Sequence, residues 1–357
     1  MWNANEPFND LPAAPIEELE TRAVLKATVG ARAELAGLNE ALKRMPNPAV
    51  LLQSISLIEA QASSEIENIV TTIDELFRSA AHVEQEITPA TKETLRYRTA
   101  LYAGLESIKS RPITSTTAST VCTQVTGRDM SVRNLSGTFI GNPTTGLARY
   151  TPPDGAKVIR EKLAEWETLV HDASDVDPLV IMAAAHYQFE AIHPFADGNG
   201  RTGRILNSLM LVERELLSYP VLYLSKYIIR NKNEYYDRLL EVTSSEAWEP
   251  WILFMLDGVT ETSRETLLTV EQVDAARRSV RTVLREVGGS NSYLLDLLFE
   301  LPYVRINNVV ARCDVSRPTA TKWLNELVEA GVLIDERIGR ERLFINVQFL
   351  RALTLSS

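Results

Sequence analysis

The stretch HPFADGNGRTGR, residues 193–204, gathers a histidine, a carboxylate, three glycines and two arginines into one loop. Helix-like patterns flank it at 178–191 and 201–215, so Gly198, Asn199 and Gly200 fall at a helix start. Backbone N–H groups are unpaired at such a start and the helix dipole is positive there, which makes an anion site. Arg201 and Arg204 stand three residues apart on one helix face and can close on the same polyphosphate. Asp197, just before the glycines, is placed to hold Mg²⁺ against phosphate oxygens. His193, four residues earlier, can take a proton from an attacking hydroxyl. Together these residue types have what nucleotidyl transfer needs.

Three other readings of the loop are weaker. GNGRTG fits the dinucleotide fingerprint G-x-G-x-x-G, but that fingerprint follows a strand, and the preceding AAAHYQFEAI has a helical pattern. A P-loop would need Lys-Ser/Thr after the glycines, and none follows. A plain structural turn leaves the histidine, the acid and both arginines without a role. The remaining histidines, His82, His171 and His186, form no cluster, and His186 reads as a packed structural residue.

The elements that must position this loop are mostly helical. Residues 1–16 read as a polar, proline-rich arm, and 16–44 as a helix. After the break MPNPAV, apolar spacing from Leu51 to Leu76 predicts one unbroken helix over 49–81. Further helices are expected at 88–110, 155–172, 178–191, 201–215, 225–243, 247–264 and 264–287. Between them, 131–155 is rich in turn residues and reads as a small hairpin or flap. GGSNS at 288–292 is a flexible junction. Beyond it come helices, a tight turn and two strands around Ile338-Gly339, the order of a winged helix-turn-helix.

The chain has 357 residues with 45% apolar content, enough for two or three packed domains. No apolar run is long enough to cross a membrane, and the N-terminus lacks a secretion pattern. The two cysteines, Cys122 and Cys313, make neither a disulfide framework nor a metal site, which fits a cytoplasmic protein. A formal charge of −10 restricts any nucleic-acid binding to a local patch.

The loop resembles the signature of the Fic (Fic/Doc) family, His-Pro-Phe-x-Asp/Glu-Gly-Asn-Gly-Arg-x-x-Arg, at every specified position from His193 to Arg204. The similarity continues into AHYQFEAIHPF before it and LYLSKYIIRNKNEYYDRLLEV after it. The resemblance implies a mainly α fold: an N-terminal helical region over 1–110, a Fic core with a β-hairpin flap over 111–265, a connecting helix and linker over 266–292, and a winged helix over 293–357. It implies transfer of AMP from ATP, with Mg²⁺, to a Ser, Thr or Tyr hydroxyl of a target protein, self-modification included, with release of pyrophosphate. His193 would be the general base and Asp197 the Mg²⁺ ligand. Gly198, Asn199 with its side chain, Gly200, Arg201, Thr202, Gly203 and Arg204 would hold the phosphates, with Phe195 an apolar anchor. The flap residues Leu147, Ala148, Arg149 and Tyr150 would pair with the target backbone, and Asn231, Tyr235 and Tyr236 would lie on the adenosine side.

A second pattern, Ser63-x-x-x-Glu67-Asn68, resembles the family's inhibitory helix. The resemblance implies that Glu67 pairs with Arg204 in bidentate fashion and denies the γ-phosphate its grip. Ser64-x-x-Glu67 also fits a capping box, but an unbroken helix over 49–81 needs no start there. In the C-terminal module, Arg317, Thr319, Thr321, Lys322 and Asn325 are recognition-helix candidates, and Arg337, Arg340 and Arg342 could reach phosphates from the wing. Seven basic against six acidic residues over 301–345 leave DNA binding and protein interaction equally open. A DNA-binding regulator that senses ATP, and a Fic enzyme that removes AMP or transfers another phosphate-linked group, are the alternatives. The sequence names no target and leaves a homodimer open.

Overall fold

The computed structural model describes residues 2–81, 87–134, 136–142, 147–172, 175–286, 292–338 and 341–354, and helices dominate them. His82, Arg340 and most of the 288–292 junction lie outside the described residues. A single 3₁₀ turn, Ile16–Glu18, precedes helix α1, Arg22–Arg44, whose start Thr21 caps through Val24 N–H at 3.2 Å. The proline-rich arm is docked: Leu11 is buried, the Gln188 amide donates to Pro12 O at 2.7 Å, and Phe8 N–H donates to Thr151 O at 3.0 Å.

The helix expected over 49–81 is two helices, α2 (Ala49–Ile66) and α3 (Ile73–Ala80). Helix α2 ends in a Schellman arrangement, with Asn68 N–H on Glu65 O at 2.9 Å and Ile69 N–H on Ser64 O at 3.0 Å. Asn68 takes the left-handed conformation this requires, φ 61°, which asparagine tolerates better than most residues. Helix α3 opens with a reciprocal capping box between Thr72 and Glu75. The periodicity hid the break because α2 and α3 bury their apolar faces in the same core. The Ser64/Glu67 capping box does not form, since a helix ends there rather than starts.

Helices α4 (Pro89–Ile108) and α5 (Ser115–Thr126) follow, the latter not expected from the sequence. The flap is an antiparallel hairpin of β1 (Ile140–Asn142) and β2 (Leu147–Tyr150), in which Gly141 faces Ala148. Then come α6 (Ala156–Asp172), α7 (Pro178–Ile192), α8 (Asn199–Glu213), α9 (Leu224–Arg230), α10 (Lys232–Ser245) and α11 (Trp248–Glu286). The helix expected over 225–243 is divided at Asn231, whereas the break expected at 264 is absent: α11 is continuous across it and packs along α1. Helix α7 is buried on nearly every side and is gripped by two indoles, Trp166 donating to Ala185 O at 3.0 Å and Trp251 to Ala183 O at 2.8 Å. Asp177 caps it and Pro178 occupies its first position.

The C-terminal module comprises α12 (Ser292–Glu300), β3 (Tyr303–Arg305), α13 (Ile306–Cys313), α14 (Arg317–Glu329), β4 (Leu333–Ile338), β5 (Glu341–Asn346) and α15 (Val347–Thr354). Its sheet has the order β3-β5-β4, all antiparallel, and α14 is capped by Ser316. The module is a winged helix seated on α2 and α3: Ser54 donates to Glu300 O at 2.8 Å, Arg78 pairs with Glu336 at 3.0 Å, and the Tyr303 hydroxyl bonds Asp74. Several of its candidate contact residues have internal partners, among them Arg317, which donates to Asn307 at 2.7 Å. Arg342 binds Asp335 at 2.8 Å and Asn325 at 2.9 Å, and its guanidinium lies 4.8 Å from the Phe344 ring centre. Arg317, Thr321, Lys322 and Arg337 remain at the surface of the module. No helix among the described residues is long and apolar enough to cross a membrane.

Candidate active site

The loop between α7 and α8 is held by its own side chains. Helix α7 stops at His193, which adopts φ 49° while its N–H still bonds Phe189 O at 3.0 Å. Phe195 is buried, and the Asn199 side chain clasps it at both ends, accepting from Phe195 N–H and donating to Phe195 O, each at 2.8 Å. The Asn199 side chain is thus engaged inside the loop through its oxygen and one of its two amide N–H groups, which leaves its second N–H beside the backbone amide for a ligand. Gly198 turns into α8 at φ 78°, a left-handed position that suits glycine. The first intrahelical bond runs from Thr202 N–H to Gly198 O at 3.0 Å, so the N–H groups of Asn199, Gly200 and Arg201 have no helix carbonyl.

An anion already sits at this helix start. The Glu67 carboxylate lies against Gly200, with Oε1 only 2.2 Å from where a Cβ would stand. The same oxygen accepts from Arg204 Nη2 at 2.9 Å. Arg204 is buried, and its other bonds go to Ser63, Nε to the hydroxyl at 2.9 Å and Nη2 to the carbonyl at 2.8 Å. Glu67 thus takes one N–H of Arg204 rather than two, a correction to the bidentate pairing expected, because Ser63 takes the Nε–H and the other N–H of Nη2. Burial works against the Glu67 charge, but Arg204 outweighs it and holds the carboxyl below its ordinary range. Arg204 is likewise kept firmly charged: burial opposes its charge and Glu67 more than restores it.

His193 is half-buried and its Nδ1 makes no hydrogen bond. Burial, with Arg133 adding to it, pushes its pKa down to about 4, so the ring is neutral at pH 7. Arg133 braces the loop from the flap side, donating to His193 O at 2.8 Å and, through its own N–H, to Pro194 O at 2.9 Å. Arg201 is buried and pairs with Glu93 of α4 at 2.7 Å, leaving its Nε without a partner. Asp197 is half-exposed and carries Arg128 at 3.0 Å. No cluster of three or more metal-ligating side chains exists among the described residues. A single open carboxylate suits Mg²⁺ that keeps its waters and arrives on a phosphate ligand. Glu190 rests against Gly203, its Oε1 buried and unpartnered, and burial raises its pKa to about 7.

The flap is anchored to the helices beside this loop, with the Tyr150 hydroxyl donating to Ala191 O of α7 at 2.8 Å and Arg149 paired to Asp237 of α10. Leu147 is exposed. Beneath the flap is an apolar hollow lined by Ile140, Tyr150, Tyr187, Glu190, Tyr236 and Leu239. Tyr236 faces this hollow. Tyr235 is buried and its hydroxyl bonds His186 Nε2 at 2.9 Å, so it is a packing residue and not a nucleotide contact. Asn231 donates to Tyr227 O at 3.0 Å, and its neighbour Lys232 reaches Asn68 at 3.3 Å, which puts the start of α10 at the rim of the Glu67 turn. Sequence reasoning missed Glu93, Arg128, Arg133 and Glu190. The first three come from distant segments with no local pattern, but Glu190 could have been noticed as an acid on an otherwise apolar helix three residues before His193.

Comparison with known proteins follows the same outline. The description "Fic/DOC family N-terminal" matches residues 25–106, "Fic/DOC family" matches 119–211, and "Protein adenylyltransferase SoFic-like, C-terminal domain" matches 273–349. The Protein adenylyltransferase Fic of Drosophila yakuba is 30% identical over 110 residues, and that of Drosophila virilis 29%. These matches cover 31% of this chain and 21% of the relatives, so the chain spans about a fifth of their length. Among solved structures, a Fic family protein from Desulfovibrio desulfuricans G20 shares the fold over 91% of this chain and 96% of its own, at 22% identity and a TM-score of 0.55. A Fic domain containing signaling protein from Bacteroides thetaiotaomicron shares it over 68% and 97%, at 14% identity and a TM-score of 0.51.

Proposed function

Because the chain belongs to the Fic/DOC family, we propose that it is a protein adenylyltransferase restrained by its own Glu67. The observation that carries this reading is the Glu67 carboxylate seated on the first turn of α8 and bonded to Arg204, an internal anion where a phosphate would bind. In the active state Glu67 withdraws. The free amides of Asn199, Gly200 and Arg201 then meet phosphate oxygens, and Arg201 and Arg204 bind the terminal phosphates of ATP. His193, neutral at pH 7, removes the proton from a hydroxyl delivered beneath the flap. The hydroxyl oxygen bonds to the α-phosphorus while the bond to pyrophosphate breaks, and the amides stabilise the charge that builds on the phosphoryl oxygens. Mg²⁺ held by Asp197 would neutralise phosphate charge. The acceptor is a Ser, Thr or Tyr of a target protein or of the chain itself.

The test is incubation of the Glu67→Gly protein with Mg²⁺ and ATP labelled on the α-phosphate, followed by mass spectrometry. The expected product is AMP on hydroxyl side chains, absent when His193→Ala is added. Label that persists without His193, or no label from a folded Glu67→Gly protein given lysate targets, would refute the reading.

A further inference from the structure

On a chain of net charge −10, three arginines collect at one hollow far along the sequence from the loop. Arg277, Arg281 and Arg285 follow one another at four-residue spacing on α11, so they share a face. They line a cavity of about 500 Å³ closed by Pro46 and Asn47, which lead into α2, and by Ser292, Leu295 and Asp296 of α12. Cavities of this size hold small ligands.

Among the described residues the only acid lining the cavity is Asp296, and it is already used. One of its oxygens pairs with Arg277 and the other accepts from Asn47 at 3.1 Å. Arg277 has a side-chain exposure of only 6%, yet its Nε is buried and without a partner. A buried orphan N–H on a charged group is costly unless something accepts from it. Arg281 is half-buried and Arg285 exposed, and among the described residues neither has a carboxylate within 4 Å. A structural ion-pair network accounts for Arg277 and Asp296 but leaves these two cations facing a hollow with nothing to neutralise them.

We propose that this hollow is a second anion site, distinct from the α7–α8 loop, that binds a compact polyphosphate. Successive arginines four residues apart are displaced by roughly 6 Å along the axis, a reach that lets two guanidinium forks grip oxygens on two linked phosphates. Arginine, planar and permanently charged, suits that grip better than lysine. Free pyrophosphate and the phosphate tail of a nucleoside triphosphate share the required chemistry.

Isothermal titration of the full chain with inorganic pyrophosphate tests the site. Arg281→Ala/Arg285→Ala touches neither Arg277 nor the loop, and the heat it loses belongs to the cleft. The expected result is binding by the parent, weakened at least tenfold in the double variant, and partly restored by Arg281→Lys/Arg285→Lys. Thermal melting establishes that the variants are folded. Repeating the titration with ATP present separates the two sources: competition identifies the nucleotide tail, and its absence identifies pyrophosphate. Equal pyrophosphate affinity in the parent and a folded double variant overturns the proposal, as does a parent that binds none. Neither result bears on Glu67 or His193.

Discussion

Replacing Glu67 by glycine removes one charge-assisted hydrogen bond, Glu67 Oε1 to Arg204 Nη2 at 2.9 Å, and empties the space above Gly200. Such a bond contributes about 1.5–3 kcal/mol. If opening it precedes productive ATP binding, its loss raises the labelling rate by roughly ten- to 150-fold. Stability moves the other way. Arg204 keeps both Ser63 contacts but loses its counter-charge, and stripping a partner from a fully buried pair costs about 3–5 kcal/mol. Glu67 itself is 34% exposed, so water already shares the pair and the cost falls toward about 1–3 kcal/mol. At this chain length each kcal/mol corresponds to about 1–2 °C of melting temperature. The combined signature is a protein that melts a few degrees lower and labels much faster, measured by calorimetry and α-labelled ATP on the same sample. General loosening of the fold would lower both. Glu67→Gln, which keeps the shape but not the charge, should fall between. A Glu67→Gly protein that melts lower but labels within twofold of the parent would show that the carboxylate supports the fold without restraining the site.

Three further outcomes follow from the same geometry. Arg128→Ala frees Asp197 from an exposed pair of about 0.2–1 kcal/mol, so the Mg²⁺ concentration for half-maximal labelling should fall by up to about fivefold; no change would mean that Asp197 does not meet the ion. With its pKa lowered to about 4, His193 stays in its basic, neutral form down to that pH, so labelling by Glu67→Gly should not lose a decade between pH 8 and pH 5.5 on its account. A tenfold fall per unit starting near pH 6.5 would contradict the burial that lowers it. Asn68→Val puts a β-branched residue at φ 61° and should cost about 1–2 kcal/mol and raise labelling, whereas Asn68→Gly should leave labelling low; equal behaviour of the two would detach the Schellman turn from the restraint.

The reacting loop was legible because its parts are contiguous: glycines, arginines, acid and histidine all lie between 193 and 204, and local spacing alone places them at a helix start. The Glu67 pattern was legible only through family resemblance, since nothing in the period of 49–81 marks where the helix stops. That period stays in phase across the turn, and the stop signal is a single asparagine in a conformation that propensity does not reveal. Glu93 and Arg133 were beyond reach for another reason. Their partners Arg201 and His193 lie 108 and 60 residues away, and only packing of α4 and the flap strand region brings them in. Tyr235 failed in the opposite direction: a pair of tyrosines looked like a ligand contact, but its hydroxyl found His186 inside the core. The polar side chain of Asn199 also shapes the loop, closing a tight turn with its oxygen and one of its two N–H groups, a structural role that the sequence did not show.

Glycine at position 200 lets the Glu67 carboxylate reach the first turn of α8, so on the proposed reading restraint and substrate would compete for one volume. Any side chain there would collide with Glu67 Oε1, and the same absence of Cβ lets a phosphate approach the amides of α8. A carboxylate and a phosphate therefore ask the same thing of the helix start: three free N–H groups, a positive dipole end and an arginine. The carboxylate is tethered at the C-cap of α2, so it is always present at high local concentration. On the proposed reading its withdrawal would be a change in the turn between Glu67 and Thr72. One side of that turn is helix α2, buried in the core. The other is α3, held by Asp74 and Arg78 to Tyr303 and Glu336 of the winged helix. On the proposed reading the restraint would be a local anion in a shared cradle, and the stiffness of the two helices that flank its turn would set how often the cradle is free.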